Sequence, residues 1–130
     1  MQLNDFRTFG QSGLVVSSLA LGTMTFGTQR WGCDKAQALE IFKYYYEQGG
    51  NFIDTANVYS GGTSETLTGE FIRDLGIRDE VVLATKAGFS SGKYPHAGGN
   101  GRKHIHSSLH QSLRRLDTDY IDIFWIHMWD

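Results

Sequence analysis

Short apolar runs alternate along this chain with longer segments whose apolar residues recur every three or four positions. Phe6 to Phe9 and Leu14 to Ser17 flank Gly10-Gln11-Ser12-Gly13, which predicts a β-hairpin with a glycine-containing turn of about four residues. Leu19-Ala20-Leu21 predicts a short buried strand ending in the loop Gly22-Thr23-Met24. Asp34 is an N-cap candidate with Gln37 three residues on, the spacing of a capping box. Behind it Leu39, Phe42 and Tyr46 form one helical stripe, and Gly49-Gly50 ends the helix. The strand Phe52 to Asp54 follows at once. A second helix begins near Thr63 or Ser64, with Leu67, Phe71, Ile72 and Leu75 on one face and Gly76 as its stop. Val81 to Thr85 is the next strand. Gly88 to Gly101 is rich in Gly and Ser and predicts a long loop, which at this length is more often functional or mobile than filler. Ile105, Leu109, Leu113 and Leu116 predict a third helix with an inward stripe, Asp117 to Asp119 a turn, and Tyr120 to Ile126 a last strand.

The order is hairpin, then β-α-β-α-β-α-β. Such alternation predicts a parallel sheet with right-handed crossovers, its strands buried on both faces. A doubly wound sheet and a portion of a (β/α)8 barrel both satisfy the pattern. The 130 residues suffice for one domain with a real core, and 40% apolar content lets it form. A net charge of −2 argues against general attraction to nucleic acid or an anionic membrane. The single Cys33 excludes an intrachain disulfide and fits a reducing compartment. The first residues lack an apolar run of signal-peptide length and no stretch is long enough to span a bilayer, so a cytoplasmic protein is expected.

Three successive strands deliver an ionisable residue at the C-terminal end. Phe52-Ile53 runs into Asp54, with Tyr59 five residues later; the strand from Val81 runs into Lys86; the strand from Tyr120 runs into His127. A parallel sheet presents a site at that end. A Lys ammonium favours a neighbouring phenolate, a carboxylate keeps the Lys charged and aimed, and a His can donate to a carbonyl oxygen. Tyr59, Lys86, Asp54 and His127 thus form a carbonyl-reducing set of proton donor, tuner, anchor and polariser, with hydride from a cofactor because no side chain donates one. Singly, each residue has a plainer role: Asp54 as a loop cap, Tyr59 as a half-buried loop aromatic, His127 as a satisfied structural His. Lys86 is harder to dismiss, because Lys is rarely set beside a core without a partner.

Other signals are weaker. Gly22 to Gly27 is bounded by glycines but lacks the G-x-G-x-x-G fingerprint. His96, His104, His106 and His110 have no Cys at zinc spacing, and His106 and His110 lack the Glu of H-E-x-x-H. His106 and His110 are therefore expected on the surface, and no metal site is expected. Arg102-Lys103 and Arg114-Arg115 are expected on solvated faces.

Four segments together resemble the N-terminal part of an aldo-keto reductase: Ser17 to Met24, Phe52 to Tyr59, Leu83 to Lys86 and Ser112 to Asp122. The Gly-Asn-Gly-Arg-Lys-His segment and the ending Ile-His-Met-Trp-Asp are similar to the branch of aryl-alcohol-dehydrogenase-like enzymes and potassium-channel β subunits. The resemblance implies a (β/α)8 barrel opened by a hairpin that plugs its bottom. It implies a catalytic tetrad falling on Asp54, Tyr59, Lys86 and His127, and NADPH with its nicotinamide near Gly22, Thr23, Met24 and Asp54. Such a barrel needs about 250 residues. This chain supplies strands one to four, so the expected architecture is a single half-barrel domain over residues 1–130. The main NADPH-binding elements and the phosphate site after strands seven and eight are not in it. Its first and fourth strands would be open edges, so completion by self-association into a homodimer or tetramer is expected. The resemblance implies NADPH-dependent reduction of an aldehyde or ketone. The alternatives are a catalytically inactive self-assembling half-barrel or binding module, and a second chain that supplies the other strands.

Overall fold

A computed structural model describes residues 2–28 and 30–130. Strands β1 (Arg7–Thr8) and β2 (Val15–Val16) form the antiparallel hairpin. The main sheet holds β3 (Leu21–Gly22), β4 (Phe52–Asp54), β5 (Val82–Ala87) and β6 (Ile123–Ile126), all parallel and in sequence order. Helices α1 (Lys35–Glu47), α2 (Thr63–Leu75) and α3 (Arg102–Leu116) make the crossovers.

Phe42 and Tyr45 of α1, Leu67 and Phe71 of α2 and Leu116 of α3 share one buried cluster with Ile53 of β4 and Leu83 of β5. All three helices therefore cover the same face of the sheet. A doubly wound sheet puts helices on both faces and reverses its strand order at a switch point. This sheet does neither, so the architecture is half of a (β/α)8 barrel. The hairpin lies on the opposite face. Phe9, at its turn, meets the rings of Phe52 and Trp125 edge-on, with centroids 5.8 and 5.9 Å away. Trp125 pairs in register with Lys86, and Phe52 stands two residues before Asp54, so the hairpin shares a face with both ionisable groups.

The helix ends follow local chemistry. Asp34 Oδ1 accepts from the Gln37 N–H at 2.9 Å and Gln37 Oε1 accepts from the Asp34 N–H at 3.3 Å, closing the capping box. Gly76 ends α2 in the left-handed region, at φ 67°.

The stripes differ from their sequence-based positions. In α1 the buried residues are Ala38, Phe42 and Tyr45, while Leu39 and Tyr46 are only half-buried. Tyr45 is drawn in because its hydroxyl bonds Ser17 Oγ, the Leu19 carbonyl and both backbone groups of Phe52. In α3 the buried row is His104, Ser108, Ser112 and Leu116, and Ile105, Leu109 and Leu113 are half-buried. Small residues win there because α2 and α3 come close: a Cβ on Gly69 would stand 2.3 Å from the Leu116 carbonyl oxygen. His104 is accordingly not a surface residue. Its Nε2 lies 3.2 Å from Ser108 Oγ, inside the helix packing.

Only β5 is buried along nearly its whole length. The strand expected over Leu19 to Leu21 is a two-residue edge strand with Leu19 exposed. The last strand begins at Ile123, because Asp122 spends its carboxylate on the Leu83 N–H and on Arg78. Ile126 is 53% exposed, since neither a further strand nor a helix covers it. The Gly88 to Gly101 loop is irregular but tied down: Gly99 N–H bonds the Gly88 carbonyl, and Asn100 bonds Asp130 and the Met128 carbonyl. No helix among the described residues is long and apolar enough to cross a membrane.

The closeness of α2 and α3 predicts the outcome of Gly69→Ala. Alanine favours a helix by about 1 kcal/mol, but overpacking against backbone costs typically 1–3 kcal/mol. A net loss of stability is expected, read as a lower urea midpoint with an unchanged slope.

Candidate active site

The end of β4 is extended by pairing beyond the strand itself. Thr55 N–H bonds the Ala84 carbonyl at 2.9 Å and Asn57 N–H bonds the Lys86 carbonyl at 3.1 Å. Thr23 N–H bonds the Asp54 carbonyl at 3.0 Å from the other side. Asp54 is thereby fixed at the C-terminal rim. Tyr59 follows at the start of a 3-10 turn, Tyr59–Gly62. Three left-handed residues, Ser60 (φ 49°), Gly61 (φ 63°) and Gly62 (φ 97°), then turn the chain into α2. Two of them are glycine, which takes this conformation without a Cβ penalty. Ser60 is held by its Oγ bonding the Phe26 carbonyl at 3.0 Å.

Lys86 lies near the end of β5 and reaches across the rim. Its Nζ donates to Asp54 Oδ2 at 2.6 Å, to the Thr55 carbonyl at 2.7 Å and to the Tyr59 hydroxyl oxygen at 3.1 Å. An ammonium has three N–H donors, and these three acceptors use them all. The Tyr59 oxygen accepts, so its own O–H proton is free to point elsewhere. His127 follows β6, with its N–H on the Ala87 carbonyl at 2.8 Å. Its ring stands edge-on to Tyr59, centroids 5.7 Å apart, and to Phe89 at 4.7 Å. Burial, and then the Lys86 charge, hold its pKa below the usual histidine value, against a smaller opposing pull from Asp54. His127 is neutral at pH 7. Its Nδ1 is buried with no partner among the described residues.

The four strand-end residues therefore meet at one point. The three residues of the β3 rim have different surroundings. Gly22 pairs in register with Asp54, and a Cβ there would meet nothing within 4 Å. Met24 is exposed beside it. Thr23 is fully buried, its hydroxyl 2.8 Å from Ser64 Oγ, so its side chain faces the helix layer.

Sequence reasoning missed the polar groups beneath the site. Ser64 Oγ also bonds the Thr23 carbonyl and lies 3.2 Å from Thr55 Oγ1, joining α2 to the ends of β3 and β4. Glu65 is fully buried and accepts from Thr85 Oγ1 and Arg115 Nε, both at 2.6 Å. Arg115 is thus a half-buried ion-pair partner rather than a free solvated charge. Glu65 and Arg115 are 50 residues apart, and no local pattern links them. Among the described residues no three His, Cys, Asp or Glu converge as a metal site.

Comparison with known proteins places this geometry. The Aldo/keto reductase family model matches residues 18–130. Norsolorinic acid reductase B from Dothistroma septosporum is 47% identical over 127 residues, covering 88% of this chain and 32% of the relative. Aryl-alcohol dehydrogenase [NADP(+)] from Phanerodontia chrysosporium is 43% identical over 133 residues, covering 91% of this chain and 34% of the relative. A solved protein from Pseudomonas aeruginosa assigned to the aldo-keto reductases superposes with a TM-score of 0.81 at 34% identity, over 98% of this chain and 48% of its own. The chain spans about a third of the length of these curated relatives and about half of the solved chain. A family match over most of the chain, on a half-barrel sheet with helices on one face, has one meaning: the chain belongs to the aldo/keto reductase family.

Proposed function

We propose that this chain carries the proton-transfer part of an oxidoreductase site that reduces an aldehyde or ketone. Tyr59 gives its proton to the carbonyl oxygen, Lys86 stabilises the phenolate left behind, Asp54 holds Lys86, and His127 polarises the carbonyl. The observation that carries this reading is the Lys86 ammonium, bonded at once to Asp54 and to the Tyr59 oxygen. A positive charge aimed at the oxygen that loses its proton is fixed before reaction and needs no reorganisation during it. A neutral His127 beside Tyr59 can act as a hydrogen-bond donor without adding a second cation to the rim.

When bound, a nicotinamide dinucleotide would supply the hydride. The residues present fit its reactive end. The open backbone at Gly22 lies beside the Asp54 carboxylate on the adjoining strand, and Met24 is exposed next to them. NADPH is the form we favour, because the Phanerodontia chrysosporium relative is named for NADP(+). A barrel's phosphate site follows strands seven and eight, and the parallel sheet here has four strands. Cofactor affinity is therefore the quantity on which activity turns.

A second reading has its own support. The accessible surface is 7712 Å², against about 6,900 Å² for a compact protein of this mass. The excess is about one partner's share of a standard interface. Exposed apolar residues gather along β6 and beyond it, at Trp125, Ile126, Met128 and Trp129, the last 95% exposed. We infer a homo-oligomer, a dimer or tetramer, that covers this edge. Such an assembly could stand without catalysis, or a second chain could supply strands that extend the sheet.

NADPH titrated into the purified protein, followed by nicotinamide fluorescence, should bind in the micromolar range. No binding at millimolar cofactor would leave the inactive, self-assembling half-barrel. Given binding, Tyr59→Phe should lower turnover of an aromatic aldehyde about 10²–10⁴-fold with little change in melting temperature. Unchanged turnover would remove Tyr59 as the donor. Light scattering on a sizing column should give at least twice the mass of one chain; a compact monomer would remove the oligomer. For His127 the folded pKa lies below the unfolded one, so its neutral form contributes stability above the unfolded value near 6.5, and this is lost as pH falls through the folded value. The urea midpoint should therefore drop more steeply below pH 6.5 in the parent than in His127→Gln.

A further inference from the structure

Glu65 lies wholly inside the helix layer, yet its two carboxylate oxygens face different parts of the site's framework. Oε1 accepts from Thr85, the residue before Lys86 on β5. Oε2 accepts from Arg115 on α3. Arg115 in turn lies against the loop that carries Tyr59. A Cβ at Gly62 would stand 2.9 Å from Arg115 Cδ and 3.1 Å from its Nε, so the glycine leaves room for the arginine stem to press on the backbone. Gly62 closes the left-handed run that starts right after Tyr59. On its other side the loop is fixed by Ser60 on the Phe26 carbonyl and by Asn57 on the Lys86 carbonyl. One buried carboxylate thus spans from the strand of Lys86 to the loop of Tyr59. Small misplacements of a reacting group are costly in rate.

We propose that Glu65 and Arg115 are a positioning pair that fixes the Tyr59 hydroxyl over Lys86. This rests on Tyr59 being the proton donor. Neither residue touches a substrate; both act through the loop. Arg115 supplies the wedge and Glu65 supplies its anchor. A neutral apolar pair of similar bulk would fill the same space without either directed bond.

The test replaces both residues at once, Glu65→Leu with Arg115→Leu, so that no lone charge is left buried. The protein is labelled with 3-fluorotyrosine, which gives up to six fluorine signals, and that of Tyr59 is assigned by its loss in Tyr59→Phe. In the parent it should be single and narrow. In the folded double variant it should at least double in width or split, while those of Tyr46 and Tyr120 stay unchanged. Where turnover is measurable, kcat should fall about a hundredfold with KM unchanged. An unmoved Tyr59 signal in the folded double variant overturns the proposal. Should that variant fail to fold, Glu65→Gln with Arg115→Ala decides: it keeps an acceptor for Thr85, leaves no lone charge and removes the stem beside Gly62, and a Tyr59 signal identical to the parent's again overturns the proposal. The fluorine readout is independent of catalysis. A disturbed Tyr59 signal alongside full activity in Tyr59→Phe would leave the positioning pair standing and remove only the catalytic role.

Discussion

An ammonium with all three of its protons committed is the centre on which this structure depends. Lys86 enters from β5, and its acceptors come from the end of β4 and from the loop behind it. A half-buried Lys without partners would lose much of its hydration for nothing in return. Here a carboxylate, a backbone carbonyl and a phenol oxygen replace that water. The same bonds join consecutive elements at the end of the sheet, where parallel pairing gives out. Electrostatics and architecture are one set of contacts at this rim.

Beneath it, the helix layer carries polar groups where apolar ones would be cheaper. Ser64, Thr23 and Thr55 form a hydroxyl cluster, and Glu65 with Arg115 forms an ion pair whose carboxylate is wholly buried. A buried ion pair commonly gains little over well-packed hydrophobic residues. Its distinguishing property is direction. Both act on the first turn of α2: the hydroxyl cluster ties it to two strand ends, and the ion pair ties it to the third helix. The helix that follows Tyr59 is thus located by specific bonds as well as by the packing of Phe71 and Ile72.

Much of this was legible in the chain. The alternation of elements, the capping box at Asp34 and the glycine stop at Gly76 are local signals, and local chemistry produced them in the structure. The placement of Asp54, Lys86 and His127 at strand ends could be read because each follows an apolar run directly. Three things could not be read from local pattern. Periodicity alone leaves open the choice between a doubly wound sheet and a half-barrel, which depends on which face each helix covers; only the family resemblance of the motifs pointed to the half-barrel. The buried row of α3 is His104, Ser108 and Ser112 because α2 approaches so closely at Gly69, a fact of the pair and not of either helix. The partner of Glu65 lies in another helix, and a carboxylate near a helix start looks like an ordinary favourable charge at the dipole.

The left-handed run after Tyr59 has a consequence for how this region can vary. Ser60, Gly61 and Gly62 spend three residues reversing the chain's hand, and α2 begins at once with Thr63. A loop of ordinary conformations can absorb an added or deleted residue by swinging outward. This one has no slack, because both of its ends are anchored and every residue between them already holds a conformation open mainly to glycine. The reach of the Tyr59 side chain is therefore a matter of residue count. Insertions and deletions, more than substitutions, are the changes this segment cannot absorb, and the distance from tyrosine to helix should be kept even where the residues that fill it are exchanged.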